Sequence, residues 1–136
     1  MNVRSVRIFY WATFLLSVII IPHDLGLGLI TVGLFILPVL VLHIEIGLSL
    51  NRINGCDILI AFSAINLLVF ALIRPDGAHA FTDNGLSAAL GIVGIDSGYN
   101  RSYEDYFFFG SLVLLLVQLV VDLKLRRVRE AKTSMN

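Results

Sequence analysis

YFFFGSLVLLLVQLVV, residues Tyr106–Val121, carries no charge, and behind it come Asp122 and a basic run of Lys124, Arg126, Arg127, Arg129 and Lys132. An uncharged apolar segment of this length, anchored by lysine and arginine, has the pattern of a helix that crosses lipid. Three more stretches of the same character, Ile8–Ile21, Leu25–Leu42 and Ile58–Ile73, fill most of the remaining chain. With 57% of its 136 residues hydrophobic and a mean hydropathy of +0.88, the composition departs far from that of soluble domains. A bilayer core of about 30 Å takes roughly 17–25 helical residues to cross, and each stretch with its flanks approaches that length. Polarity does not alternate along them, which excludes barrel strands and leaves helices whose backbones satisfy themselves.

The expected fold is therefore an all-α, polytopic integral membrane protein of one domain. Its four transmembrane helices, over 8–22, 25–45, 57–73 and 106–123, form two antiparallel hairpins, with an outer loop over 74–105 and a basic cytoplasmic tail over 124–136. Charge sets the orientation. Arg4 and Arg7 precede the first stretch and the basic run follows the last, whereas Asp76, Asp83, Asp96, Glu104 and Asp105 outnumber Arg74 and Arg101 in the long loop. The positive-inside rule then puts both termini in the cytoplasm and the 74–105 loop outside, in a cell membrane of bacterial inner-membrane type. The first stretch ends Ile-Ile-Ile-Pro-His-Asp without a small-x-small cleavage site, so it is expected as a retained helix rather than a signal peptide.

Local signals fill in the elements. Phe9, Tyr10 and Trp11 lie beside Arg7 as interfacial rings, Gly26 and Gly28 permit a tight turn, and Pro38 interrupts the second helix. Asp57 is the expected N-cap of the third helix, and Arg74-Pro75-Asp76-Gly77 ends it. A loop as long as 74–105 has a task of its own. Within it Gly85–Ile95 presents Leu86, Leu90 and Val93 on one helical face, too short to span and suited to an interfacial helix that docks on a partner.

Polar residues inside the stretches are the candidate sites. Asn66 and Ser63 on the third helix, and Ser111 and Gln118 on the fourth, are expected to hydrogen-bond between helices. Ser111, Leu115, Gln118 and Asp122 share one face, which should look inward. His43, Glu45 and Asp122 are candidates for ion or proton contact, because intramembrane ionisable groups often mark such pathways. Position favours a plainer role for each: Asp122 paired with Arg126 at the headgroups, Glu45 snorkelling or paired with Arg52, and His43 turned to another face than Glu45. Among His23, Asp24, Asp76, His79 and Asp83 no pair has a compact metal-ligand spacing, so no metal and no cofactor is expected. Cys56 is the single cysteine and forms no internal disulfide.

No phosphate-binding glycine loop, serine elbow or paired catalytic carboxylates occur, and an enzyme is not expected. The terminal basic run suits anionic lipid heads rather than nucleic acid. What remains is a protein that works by contact with a membrane partner or toxin, as an accessory subunit or protective factor. In general format it resembles the small bacterial immunity proteins that guard against membrane toxins. The alternative is a small homo-oligomeric transporter or channel. Four-helix multidrug exporters show the size suffices, although this chain lacks their carboxylate in helix one and has a longer outer loop.

Overall fold

The computed structural model describes residues 3–22, 28–53, 55–74 and 104–133, together with Asn84, Leu86 and Leu90. Its regular structure is helical: α1 over Val3–Ile20, α2 over Gly28–Leu48, a 3-10 turn over Leu50–Arg52, α3 over Asp57–Ile73 and α4 over Glu104–Thr133. No strand occurs among the described residues. Among the described residues one helix, α4 in its part Phe108–Thr133, is long and apolar enough to cross a membrane, while Gly33–Leu48 and Asp57–Ile73 are shorter apolar helices.

Local chemistry accounts for the boundaries. Gly55 sits at φ +84, a left-handed conformation that a side chain would strain, and it turns the chain into α3. Asp57 is the first residue of α3 rather than its cap; Cys56 holds the cap position without a side-chain bond, and the Asp57 carboxylate still meets the positive helix end. At the other end Arg74 adopts ψ 139, the extended conformation that the following proline favours, and the helix stops there. Helix α2 continues through Pro38 as one element.

The segment expected as a basic tail is helical as far as Thr133. Val121, Leu125 and Val128 explain this, because their spacing keeps one apolar stripe on the bundle for two turns beyond the last apolar stretch. The partnership of helices also differs from two packed hairpins. Close backbone approach is greatest between α1 and α3, then between α3 and α4 and between α2 and α4, whereas the backbones of α1 and α2 stand further apart and are bridged by the rings of Tyr10, Trp11 and Phe14. Side-chain size is the reason: Thr13, Ser17, Ser63, Ala64 and Ala71 are buried and small, which lets α1 and α3 approach closely.

Two apolar layers build the interior. Val6, Tyr10, Ile46, Leu50, Ile53, Ile60, Ala64, Val121 and Leu125 form one, and Phe14, Ile20, Ile21, Ile36, Leu67, Phe70 and Ala71 form the other. Their membership shows that α1 and α3 run in one direction and α2 and α4 in the opposite one. The second layer is tied by Arg74, which is 2% exposed and donates from Nη2 to the carbonyl of Ile20, 3.1 Å away at the end of α1.

Outside, the polarity is inverted. Ile8, Leu15 and Ile19 on α1, Leu34, Phe35 and Leu37 on α2, Ile58 and Phe62 on α3, and Val113, Leu116 and Val120 on α4 are all exposed. Leu86 and Leu90 of the loop are helical and exposed, and the Asn84 side-chain oxygen accepts the Leu86 N–H at 3.0 Å, as an N-cap would. Val93 and the remainder of the 85–95 segment lie outside the described residues, as do His23, Asp24, Asp76, His79 and Asp83.

Where α1 meets α2, Gly47 admits the aromatic rings. A Cβ there would stand 2.7 Å from Trp11 Cζ2 and 3.0 Å from Tyr10 Cε1. Replacing Gly47 with Ala is expected to destabilise the bundle by about 1–3 kcal/mol, the usual cost of overpacking. Thermal unfolding in detergent measures this, and pairing the change with Trp11→Leu should recover part of the loss.

A buried polar cluster as the candidate functional site

Between the two apolar layers lies a set of polar side chains drawn from three helices. His43 of α2, Ser63 of α3, and Gln118 and Asp122 of α4 are each 0% exposed, and Asn66 of α3 is 5% exposed. Helical spacing delivers them. Ser63 and Asn66 are three residues apart on α3, and Gln118 and Asp122 four apart on α4, so each pair occupies one face, and the two faces meet.

Asp122 is the centre. Its Oδ1 accepts the Ser63 hydroxyl at 2.6 Å, and its Oδ2 accepts Gln118 Nε2 at 3.0 Å and lies 3.2 Å from His43 Nδ1. Gln118 Nε2 also reaches Ser63 Oγ at 2.8 Å and His43 Nδ1 at 3.1 Å. On its other side Gln118 Oε1 accepts Asn66 Nδ2 at 2.9 Å, and the same amide donates to the Leu114 carbonyl at 2.9 Å. The oxygens of Asp122, the hydroxyl of Ser63, both polar atoms of the Gln118 amide and Nδ1 of His43 thus have partners. His43 Nε2 is buried with none among the described residues.

The imidazole lies against two aromatic rings of α1. Tyr10 stacks on it at 4.2 Å and 10° and Phe14 at 5.5 Å and 23°. The Tyr10 hydroxyl does not touch the ring but donates to the His43 carbonyl at 2.9 Å, which locks α1 against α2. Thr13 and Ser17, also buried, return their hydroxyls to carbonyls of α1 at 2.8–2.9 Å and take no part in the cluster.

Several sequence expectations change here. Asp122 does not form a surface pair with Arg126; it is sealed inside, because it falls on the same stripe as Val121 and Leu125. Glu45 pairs with α4 rather than Arg52: Arg129 Nη2 stands 2.6 Å from Glu45 Oε1 and Arg126 Nη1 3.8 Å from Oε2. Arg129 Nη1 further donates to Ser49 Oγ at 3.0 Å. Hydrogen bonding to Glu130, with the charge of Glu45 nearby, holds the Arg126 guanidinium above its usual range. His43 and Glu45 do face different ways, one into the cluster and one to the surface ion pairs. Asn66, Gln118 and Ser63 meet across helices, whereas Ser111 donates to the Phe108 carbonyl of its own helix at 2.8 Å.

The arrangement is not that of a nucleophilic triad. In such a relay the hydroxyl and the carboxylate engage opposite imidazole nitrogens; here Ser63, at 3.3 Å, and Asp122 approach the same Nδ1. No group of three metal-ligating side chains occurs among the described residues. A groove of about 900 Å³ opens on the outside between α3 and α4, lined by Cys56, Asp57, Ala61, Phe62, Lys124 and Val128, all distinct from the cluster.

Tyr10 and Arg74 were not legible as structural partners in the sequence. Asp122 had one available signal: it stands between Val121 and Leu123, before the first lysine, in register with Gln118. Comparison of the chain with protein-family models, characterised proteins and solved structures finds no match in any of the three.

Replacing Asn66 with Leu is expected to cost about 0.6–2 kcal/mol, the range for hydrogen bonds between membrane helices. Gln118→Leu should cost more, since it strips partners from Asn66, Ser63 and Asp122 together, and Ser111→Ala should cost least. Denaturant titration of the three variants in one detergent orders them.

Proposed function

We propose that this chain is an integral membrane protein that crosses the bilayer four times, with both termini in the cytoplasm, and that it acts by contact with a membrane partner as an accessory subunit or immunity-like protective factor. One observation carries the reading: large apolar side chains are exposed on all four helices while the polar ones are spent on each other inside. In water such an exterior would aggregate, and in hydrocarbon it costs nothing. Arg4, Arg7, Arg52 and the charged turns of α4 gather at one end of the bundle, which suits the cytoplasmic leaflet of a bacterial inner membrane.

Recognition then falls to the outer surface. The cluster is capped by Phe14, Leu67 and Phe70 on one side and by Ile46, Ile60 and Leu125 on the other, so solute access through one copy is not supported. Leu86 and Leu90, exposed and in helical register, are suited to docking on a partner outside the membrane. A homo-oligomeric transporter remains the second reading, favoured by a buried histidine and carboxylate in lipid.

Cysteine-labelling with an impermeant reagent is expected to place residue 90 opposite residues 4 and 133; labelling of all three from one side removes the topology. Crosslinking in gentle detergent should recover a stoichiometric membrane partner, and Leu90→Asp should abolish that capture while leaving insertion intact. Proton-coupled flux in liposomes, lost in Asp122→Asn, would instead establish the transporter.

A further inference from the structure

The protons of the cluster can be counted. Ser63 has one, and it goes to Asp122 Oδ1. The two on Gln118 Nε2 reach Ser63 Oγ and Asp122 Oδ2. The contact between His43 Nδ1 and Oδ2 then holds a single proton between them. The other assignments, with Gln118 or Ser63 donating to Nδ1, force the imidazole proton onto Nε2, where no acceptor lies among the described residues. The first leaves Nε2 with its lone pair and the pair with one uncompensated negative charge.

We propose that the His43–Asp122 pair is a proton-binding site inside the bundle, loaded at His43 Nε2. Proton uptake there forms an imidazolium beside the carboxylate and brings the buried pair to zero charge. No bond between heavy atoms changes. The new N–H has no acceptor among the described residues, but one stranded donor on a pair of zero net charge costs less than an unbalanced buried charge. Tyr10 and Phe14 add to the balance, because their rings stack near the imidazole and their faces attract a cation. The groups facing the pair are few. Among the described residues α1 supplies the Tyr10 phenol, bonded to the His43 carbonyl, α3 supplies Ser63, with Asn66 behind Gln118, neither of which titrates, and α4 supplies Gln118 and Asp122. Glu45 is turned to Arg129, and Lys124 lies on the exposed side. The site is internal to one copy, so it stands whether or not a partner binds outside.

The test uses the full chain in lipid nanodiscs, with His23→Gln and His79→Gln leaving His43 as the only imidazole. Nitrogen-15 spectra of the ring are followed against pH while circular dichroism reports the fold. The expected result is one protonation step at Nε2. Asp122→Asn removes the compensating charge and should move that step acidward by about one pH unit or more. Ser63→Ala removes a donor that stabilises the carboxylate and should move it alkaline. These opposite signs are what a merely structural role would not produce. An Nε2 resonance that stays neutral wherever the bundle is folded, or a step that is unmoved in Ser63→Ala, overturns the proposal; should Asp122→Asn fail to fold, the Ser63→Ala shift decides alone.

Discussion

A carboxylate shut away from water has to be surrounded by donors, and Asp122 finds them on three helices at once. Its own α4 supplies Gln118, α3 supplies Ser63, and α2 brings the His43 ring to its second oxygen. Sliding α2 or α3 by a residue would take His43 or Ser63 away from this buried group, a loss on the order of 1–3 kcal/mol and a sizeable part of a small protein's margin of stability. Register among α2, α3 and α4 therefore follows from this one side chain. Helix α1 is positioned differently, by the close fit of small residues against α3 and by the Tyr10 hydroxyl on the His43 carbonyl.

Such a centre makes sense only with the surface the molecule presents. Apolar burial drives folding in water because it removes hydrocarbon from solvent, yet here large aliphatic side chains remain outside on every helix. In the proposed lipid setting little is gained by burying leucine against leucine, and the work of holding helices together passes to close packing and to hydrogen bonds with few competitors. The observed division of labour matches that requirement: small residues at the α1–α3 contact and a bonded polar layer between α2, α3 and α4. At the basic end of the bundle α2 and α4 carry exposed ion pairs instead, Glu45 with Arg129 and Arg126, which are individually weak.

The sequence by itself determined that the chain is helical, where α3 starts and stops, and which faces of α3 and α4 would be polar, because composition, turn residues and helical period are local properties. Asn66 and Gln118 could each be named as a helix-packing residue on that basis, but not as each other's partner. Only the tertiary structure decided that His43 and Asp122 belong to the same cluster, that Glu45 belongs to Arg129, and that the backbone of α1 comes closest to α3 while aromatic rings bridge it to α2. Those are contacts between residues far apart in the chain, and their choice depends on how four faces fit together, with side-chain size and unpaired donors setting the fit. Helical period can place a residue on a face; it carries no information about which face lies opposite.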